Sequence, residues 1–159
     1  MSRATPATRA LDTARIAYRL HTYSYDPDAA SIGLHAATAL GVEPARMLKT
    51  LLLSLDGKPA CAVLPSSKEL SLKKLAATLG GKHATLLAAT DAERISGYHI
   101  GGISPFGQKK RVPFVVEISA LQHATIYCNG GQRGLQIELD PKTIVQLLSA
   151  RTGDIATDA

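Results

Sequence analysis

The sequence predicts one domain of mixed α/β (α+β) class across residues 1–159, with helices around a curved, mostly antiparallel sheet or partial barrel. Three observations predict it. Two apolar runs, at 47–55 and 59–64, meet through Asp56-Gly57, a strong hairpin signal. Helix start and stop residues alternate with strand-like segments along the whole chain. No repeat, low-complexity tract or linker divides the 159 residues, a length suited to one core.

Each element follows from local chemistry. Thr5-Pro6 pairs a cap with proline at the first helical position, and Leu11, Ala14 and Ile16 or Ala17 extend a weak apolar stripe over about three turns. Residues 18–25 alternate Leu, Tyr and Thr with His and Arg, the pattern of a strand. Residues 31–40 read as a helix stopped by Gly41, which tolerates the left-handed conformation at a helix end. The hairpin of 47–64 follows. Ser71 then caps a short helix that stops at Gly80-Gly81, and Thr90 with Glu93 has the spacing of a capping box for a helix ending near Gly97. Between 97 and 113 glycines and prolines exclude a regular element. Strands are expected at 114–118, 125–128 and 135–139, with Asn129-Gly130-Gly131 as a turn and Asp140-Pro141 opening a last helix through Leu148.

Composition bounds the function. Aromatics are 4% of the residues and Trp is absent, so aliphatic side chains and Ala must fill most of the core. The formal charge of +5 favours polyanionic partners without identifying one. Apolar runs such as 51–53 are far too short to cross a bilayer, so no membrane association is expected. Cys61 and Cys128 lie far apart without a CxxC pair, and the first residues carry no apolar signal-peptide core. A cytoplasmic location is the expectation. The histidines show neither HxxxH nor HExxH spacing, which argues against a metal site, and no cofactor is implied.

Two features could carry chemistry. In Gly101-Gly102-Ile103-Ser104-Pro105-Phe106-Gly107 the glycines allow positive φ and close approach of a ligand, while Pro105 pushes Ser104 towards an extended geometry. Such a bend can offer backbone N–H groups to a phosphate or an oxyanion, or it can be a plain crossover between strands. Lys109, Lys110 and Arg111 follow it directly and suit phosphates, although such a run also serves as a solvated face. The second feature is Lys49, set in an apolar strand on the face of Met47 and Leu51. An ammonium there must reach solvent or serve an anionic partner, because burying it unpaired is costly. Ser104 lacks the GxSxG context of a nucleophile elbow, and both cysteines fall in apolar segments that suit core thiols. The chain therefore shows a candidate anion cradle and cations, without a triad, dyad or metal cluster.

Lys49-Thr50-Leu51-Leu52, then Gly97-Tyr98, the string from Gly101 through Lys110, and finally Ala124-Thr125-Ile126-Tyr127, Gly130-Gly131 and Arg133-Gly134-Leu135 occur in that order. With His21-Thr22-Tyr23 and Asp26-Pro27 they make the chain resemble, across nearly its whole length, the YbaK/EbsC family, relatives of the prolyl-tRNA synthetase editing domain. The resemblance implies that fold and a free-standing deacylase for mischarged tRNA, in the branch that removes cysteine from Cys-tRNA(Pro). It implies aminoacyl-tRNA as partner, with prolyl-tRNA synthetase as a further candidate. Lys49 matches the lysine on which activity most depends, and Gly101, Gly102, Ile103, Ser104 and Pro105 match the loop that holds the aminoacyl carbonyl. Tyr23 matches a position near the pocket, and His21, Thr50, Asn129, Gly130 and Gln136 complete the expected substrate-binding set with Lys109, Lys110 and Arg111. In that family Ser commonly precedes the Gly-Gly turn and Asp follows the Arg-Gly-Leu segment; here those places hold Asn129 and Gln136. A deacylase for Ala- or Ser-charged tRNA, and a non-catalytic tRNA- or synthetase-binding module of the same fold, stay open at this point.

Overall fold

Asp56 and Gly57 both adopt positive φ, 50° and 83°, which is the tight hairpin geometry an Asp-Gly pair favours. They join β2 (Leu48–Leu55) to β3 (Lys58–Pro65) in full antiparallel register, Leu48 opposite Pro65 through Leu55 opposite Lys58. In this computed structural model, which describes residues 4–158, that hairpin is the centre of a five-stranded sheet. β5 (Ala84–Leu86) pairs with the outer edge of β2. On the other side β6 (Phe114–Glu117) and β9 (Arg151–Gly153) add in parallel. Parallel neighbours require long returns of the chain; here the loop after α4 (Ala89–Ser96) leads into β6, and α5 (Pro141–Leu148) leads into β9.

A second sheet of β1 (Arg19–Thr22), β8 (Leu135–Leu139) and β7 (Ile126–Asn129) is antiparallel throughout. A bridge between Met47 and Tyr127 ties it to the beginning of β2. β4 (Lys68–Leu70) and β10 (Ala156–Asp158) form a small ribbon. Among the described residues five of the seven strand pairings are antiparallel, and the sheets do not close into a barrel.

Both faces of the large sheet are covered, which is why β3 is an unbroken apolar run rather than an alternating one. Leu48, Leu52, Cys61 and Val63 pack with Ala7 and Leu11 of α1 (Pro6–Thr13), with Phe106 and with Ile144 of α5. Leu53, Ala60, Ala62 and Leu64 pack on the opposite face against Leu75 of α3 (Leu72–Leu79) and Ile155. Among the described residues no helix is long and apolar enough to cross a membrane.

The caps follow the sequence closely at most ends. Thr5 and Thr8 form a reciprocal capping box, and the Thr5 hydroxyl donates to the Gly130 carbonyl at 2.6 Å, fastening α1 to the turn after β7. Ser31 caps α2 (Ile32–Leu40), which stops at left-handed Gly41, and Ser71 and Gly80 do the same for α3. Several expectations are corrected. Helix α1 ends at Thr13, because Arg15 turns to positive φ and sends the chain back; Ile16 and Ala17 lie outside it. The first strand is four residues, not eight. Helix α4 has Ala88 as N-cap without a side-chain bond, and Glu93 reaches forward to the Ile100 N–H instead of back to Thr90. β4, β5, β9 and β10 are three residues each, too short for a hydrophobic period to register.

Candidate functional site

The end of β2 near Lys49 meets three other elements: the start of α2, the loop at 100–103, and the face of the small sheet that carries Asn129 and Gln136. Between them lies a cleft of about 250 Å³. The face is polar because strand alternation makes it so. Asn129 stands opposite Gln136, and Gln136 opposite His21, so the three side chains share one side of the sheet. Cys128, Ile137 and Leu139, on the other side, enter the core.

Lys49 and Thr50, successive residues of β2, both line the cleft. Lys49 is half-buried, and desolvation pushes its ammonium pKa below the usual lysine value, with the charge of Glu69 opposing the shift. No carboxylate among the described residues forms an ion pair with it. The Thr50 hydroxyl and the Gln136 side-chain oxygen are buried and lack a hydrogen-bond partner among the described residues, as does the Tyr23 hydroxyl. Burial raises the Tyr23 phenol pKa, and neighbouring Gln136 partly offsets the rise. Unpartnered buried polar atoms are uncommon in native proteins and mark places where a ligand or water completes the network.

The loop forms another part of the lining. Gly101 and Ile103 line the cleft. Gly101 has φ of 90°, which favours glycine, and a Cβ there would lie 2.5 Å from the Tyr25 hydroxyl, so a side chain would have to displace the Tyr25 ring. A Cβ at Gly102 would press within 3.1 Å of the backbone at Gln132 and Arg133. The Gly102 N–H donates to the His99 carbonyl at 2.8 Å, so this donor is committed inside the loop. The Ile103 amide has no protein partner among the described residues. Ser104 is fully buried; its hydroxyl accepts from the Phe106 N–H at 3.3 Å and its carbonyl from Gln108 at 3.0 Å. Pro105 is buried and borders a different cavity.

Other expected residues stand apart from the cleft. His21 turns to Glu138, Nε2 to Oε1 at 2.9 Å, within a network that also binds Thr125 and Arg46 to that carboxylate. Glu138 is held below the usual carboxylate range, chiefly by the Thr125 hydroxyl and then by His21. Gly130 is buried and uses its carbonyl to receive Thr5. Lys109, Lys110 and Arg111 are exposed; the last two border the second cavity with Pro105, beyond the loop. Both cysteines are fully buried, and burial raises both thiols well above the ordinary value, which leaves little thiolate at neutral pH.

Some residues of the site were missed in the sequence. Ser31, Ile32 and Gly33 bring the N-terminal end of α2, with its partial positive charge, to the cleft. Gly33 is packed against Ser66, leaving no room for a Cβ, a closeness no local pattern announces. Glu93, Arg133 and Tyr25 hold the loop from outside.

Comparison with known proteins bears on this arrangement. A family model described as the aminoacyl-tRNA editing domain matches residues 26–147. A protein of Enterococcus faecalis named EbsC, a candidate Cys-tRNA(Pro)/Cys-tRNA(Cys) deacylase, is 36% identical over 155 residues, covering 96% of this chain and 93% of the relative. A proline–tRNA ligase of Maridesulfovibrio salexigens is 33% identical over 70 residues, which are 44% of this chain and 12% of the ligase. The crystal structure of a candidate trans-editing enzyme for prolyl-tRNA synthetase superposes with a TM-score of 0.80 at 21% identity, covering 98% of this chain and 99% of the other, and so shares the fold.

Proposed function

The chain belongs to the aminoacyl-tRNA editing domain family, and from that premise we propose that residues 1–159 act as one trans-editing deacylase that removes cysteine from Cys-tRNA(Pro). One observation carries this reading: a half-buried lysine and a glycine-bearing bend line the same cleft. At about 250 Å³ the cleft is smaller than the roughly 300–1,000 Å³ of sites for drug-sized ligands, and suits a small aminoacyl group.

An aminoacyl ester is already activated, so positioning and oxyanion stabilisation supply much of the acceleration it needs. The cysteine's own sulfur attacks its carbonyl carbon. A C–S bond forms, the ester C–O bond breaks, the amino acid departs as a cyclic thioester, and the thiol proton passes to the released ribose hydroxyl. No protein nucleophile is required, in keeping with the two buried, inert thiols and with buried Ser104. Lys49 anchors the terminal adenosine and stabilises charge at the ester. The uncommitted amides of the loop, at Gly101 and Ile103, receive the developing oxyanion. Tyr23, Thr50, Asn129 and Gln136 contact the amino acid, while exposed Lys109, Lys110 and Arg111 take tRNA phosphates. A prolyl-tRNA synthetase is the partner that would present the tRNA.

A second reading has an observation of its own. Gln136 offers a neutral, unpartnered oxygen at the cleft, which can accept from a seryl hydroxyl as readily as from a thiol. One experiment separates the readings: purified protein is assayed on Cys-, Ser-, Ala- and Pro-tRNA(Pro), with Lys49→Ala in parallel. Fastest cleavage of Cys-tRNA(Pro), abolished by Lys49→Ala in a folded protein, is the expected result. Preference for Ser-tRNA would favour the second reading, and salt-sensitive tRNA binding without turnover would defeat both.

A further inference from the structure

In the loop wall of the cleft three successive peptide groups are each held by a side chain from elsewhere in the fold. The Ile100 N–H donates to Glu93 Oε2 at 2.8 Å. The Ile100 carbonyl accepts from Arg133 Nε at 2.9 Å, and the Gly101 carbonyl from Asn129 Nδ2 at 2.9 Å. The Gly102 N–H is taken by His99. These bonds leave the Gly101 N–H uncommitted in the middle of the stretch, as the Ile103 N–H is at its end. A trans peptide is planar, with its C=O and N–H pointing in opposite directions. Arg133 on one side of the Ile100 carbonyl therefore fixes the Gly101 N–H on the other.

The three holding side chains are themselves held. Asn129 Oδ1 accepts from the N–H groups of Gly131 and Gln132 at 2.7 and 3.2 Å, which sets the amide so that its nitrogen faces Gly101. The Arg133 guanidinium lies 5.3 Å from the centre of the Tyr25 ring, and Tyr25 packs against Gly101. The Ile100 N–H is the largest influence holding the Glu93 carboxyl below the usual range, and the charges of His99 and Arg133 add to it. Glu93 comes from the last turn of α4 and Arg133 from the turn between β7 and β8, so two elements distant in sequence grip one residue from both sides.

We infer that Glu93 and Arg133 are positioning residues for deacylation: with Asn129 they hold the three successive peptide groups from His99 to Gly102, so that the Gly101 N–H faces the ester. The inference rests on the reading given under Proposed function. Neither side chain lines the cleft, so each acts through the backbone it holds. Loss of a single oxyanion donor costs about 10²–10³-fold in rate, and a donor displaced by about 1 Å about 10²-fold. Releasing one side of the clamp while leaving the other should therefore cost roughly 10–100-fold in kcat.

The test uses the full chain and Cys-tRNA(Pro), with kcat and KM measured separately for Glu93→Ala, Glu93→Gln, Arg133→Ala and Arg133→Gln. Gln at 93 keeps an oxygen that accepts from Ile100. Gln at 133 places an N–H donor at the same number of bonds from the backbone as arginine Nε, without the charge. Expected are a kcat lowered roughly 10–100-fold in both Ala variants with KM within about twofold, and recovery of most of kcat in both Gln variants. Circular dichroism of each variant separates this from unfolding. An unchanged kcat in the folded Ala variants would overturn the clamp alone. So would a loss confined to KM and shared by Arg133→Ala and Arg133→Gln, the mark of a phosphate contact. A wild type inactive on every charged tRNA would overturn the underlying reading and the clamp together.

Discussion

Replacing Gly101 by alanine perturbs the cleft wall in two ways that can be weighed separately. The residue sits at φ of 90°, a region that costs an L-residue roughly 1–2 kcal/mol. The added Cβ would also lie 2.5 Å from the Tyr25 hydroxyl and 3.1 Å from two ring carbons. A retreat of Tyr25 that gives up its contact with Arg133 costs about 0.5–1 kcal/mol more at an exposed site. The sum is about 1.5–3 kcal/mol of lost stability, or a fall in Tm of about 3–12 °C for a domain of this size. Gly41→Ala is the matched control. It has φ of 67° and nothing within 4 Å of its Cβ position, so only the conformational part applies. Urea unfolding of both variants reads the difference, and single-turnover deacylation reads the catalytic effect, which should be large for Gly101→Ala and negligible for Gly41→Ala. A Gly101→Ala protein as stable and as active as wild type would refute the requirement for glycine at the cleft.

Two further perturbations follow from the hydrogen-bond networks. Thr5→Ala removes the cap of α1 and its tie to Gly130, and should cost about 1–2 kcal/mol in chemical denaturation while leaving kcat within a few-fold; no loss would show that the tie contributes nothing. Glu138 is ionised more readily in the folded protein than in the unfolded chain, because Thr125 and His21 bind its carboxylate. Its contribution is therefore present above the unfolded carboxylate pKa and disappears as pH falls through the lower folded value. Wild type should lose stability across that acidic window and Glu138→Gln should lose less, measured as Tm against pH; parallel curves would contradict the assignment.

The parts of the fold that could be seen in the sequence were those governed by local chemistry. Asp56-Gly57 dictates a turn whatever surrounds it, and Ser31 with Gly41 or Ser71 with Gly80 bracket helices by satisfying their end groups. The parallel addition of β6 and β9 could not be seen, since it depends on where a long loop and α5 return the chain. Glu93 shows the same limit at the site. Three residues after Thr90 it has capping-box spacing, but the chain after Gly97 folds back and offers it the Ile100 amide. Lys49 was legible as an ammonium out of place in an apolar strand, and the loop as a glycine-rich bend. That they share a cleft with Asn129 and Gln136 is a tertiary fact, set by the Met47–Tyr127 bridge between the two sheets. Lys109, Lys110 and Arg111 follow the loop in sequence but lie beyond it in space, because the chain turns at Pro105 and Gly107.

The pH dependence of single-turnover Cys-tRNA(Pro) deacylation tests the role of Lys49 most directly. Burial lowers the Lys49 pKa, so its ammonium is lost at a pH below that of a free lysine side chain. The enzyme-dependent rate, after subtraction of spontaneous hydrolysis, should fall on the alkaline side before pH 10.5 is reached, and that limb should move upward in Lys49→Arg, whose charge persists. An enzyme-dependent rate that stays level through this range, or a folded Lys49→Ala protein that retains the wild-type rate, would contradict it.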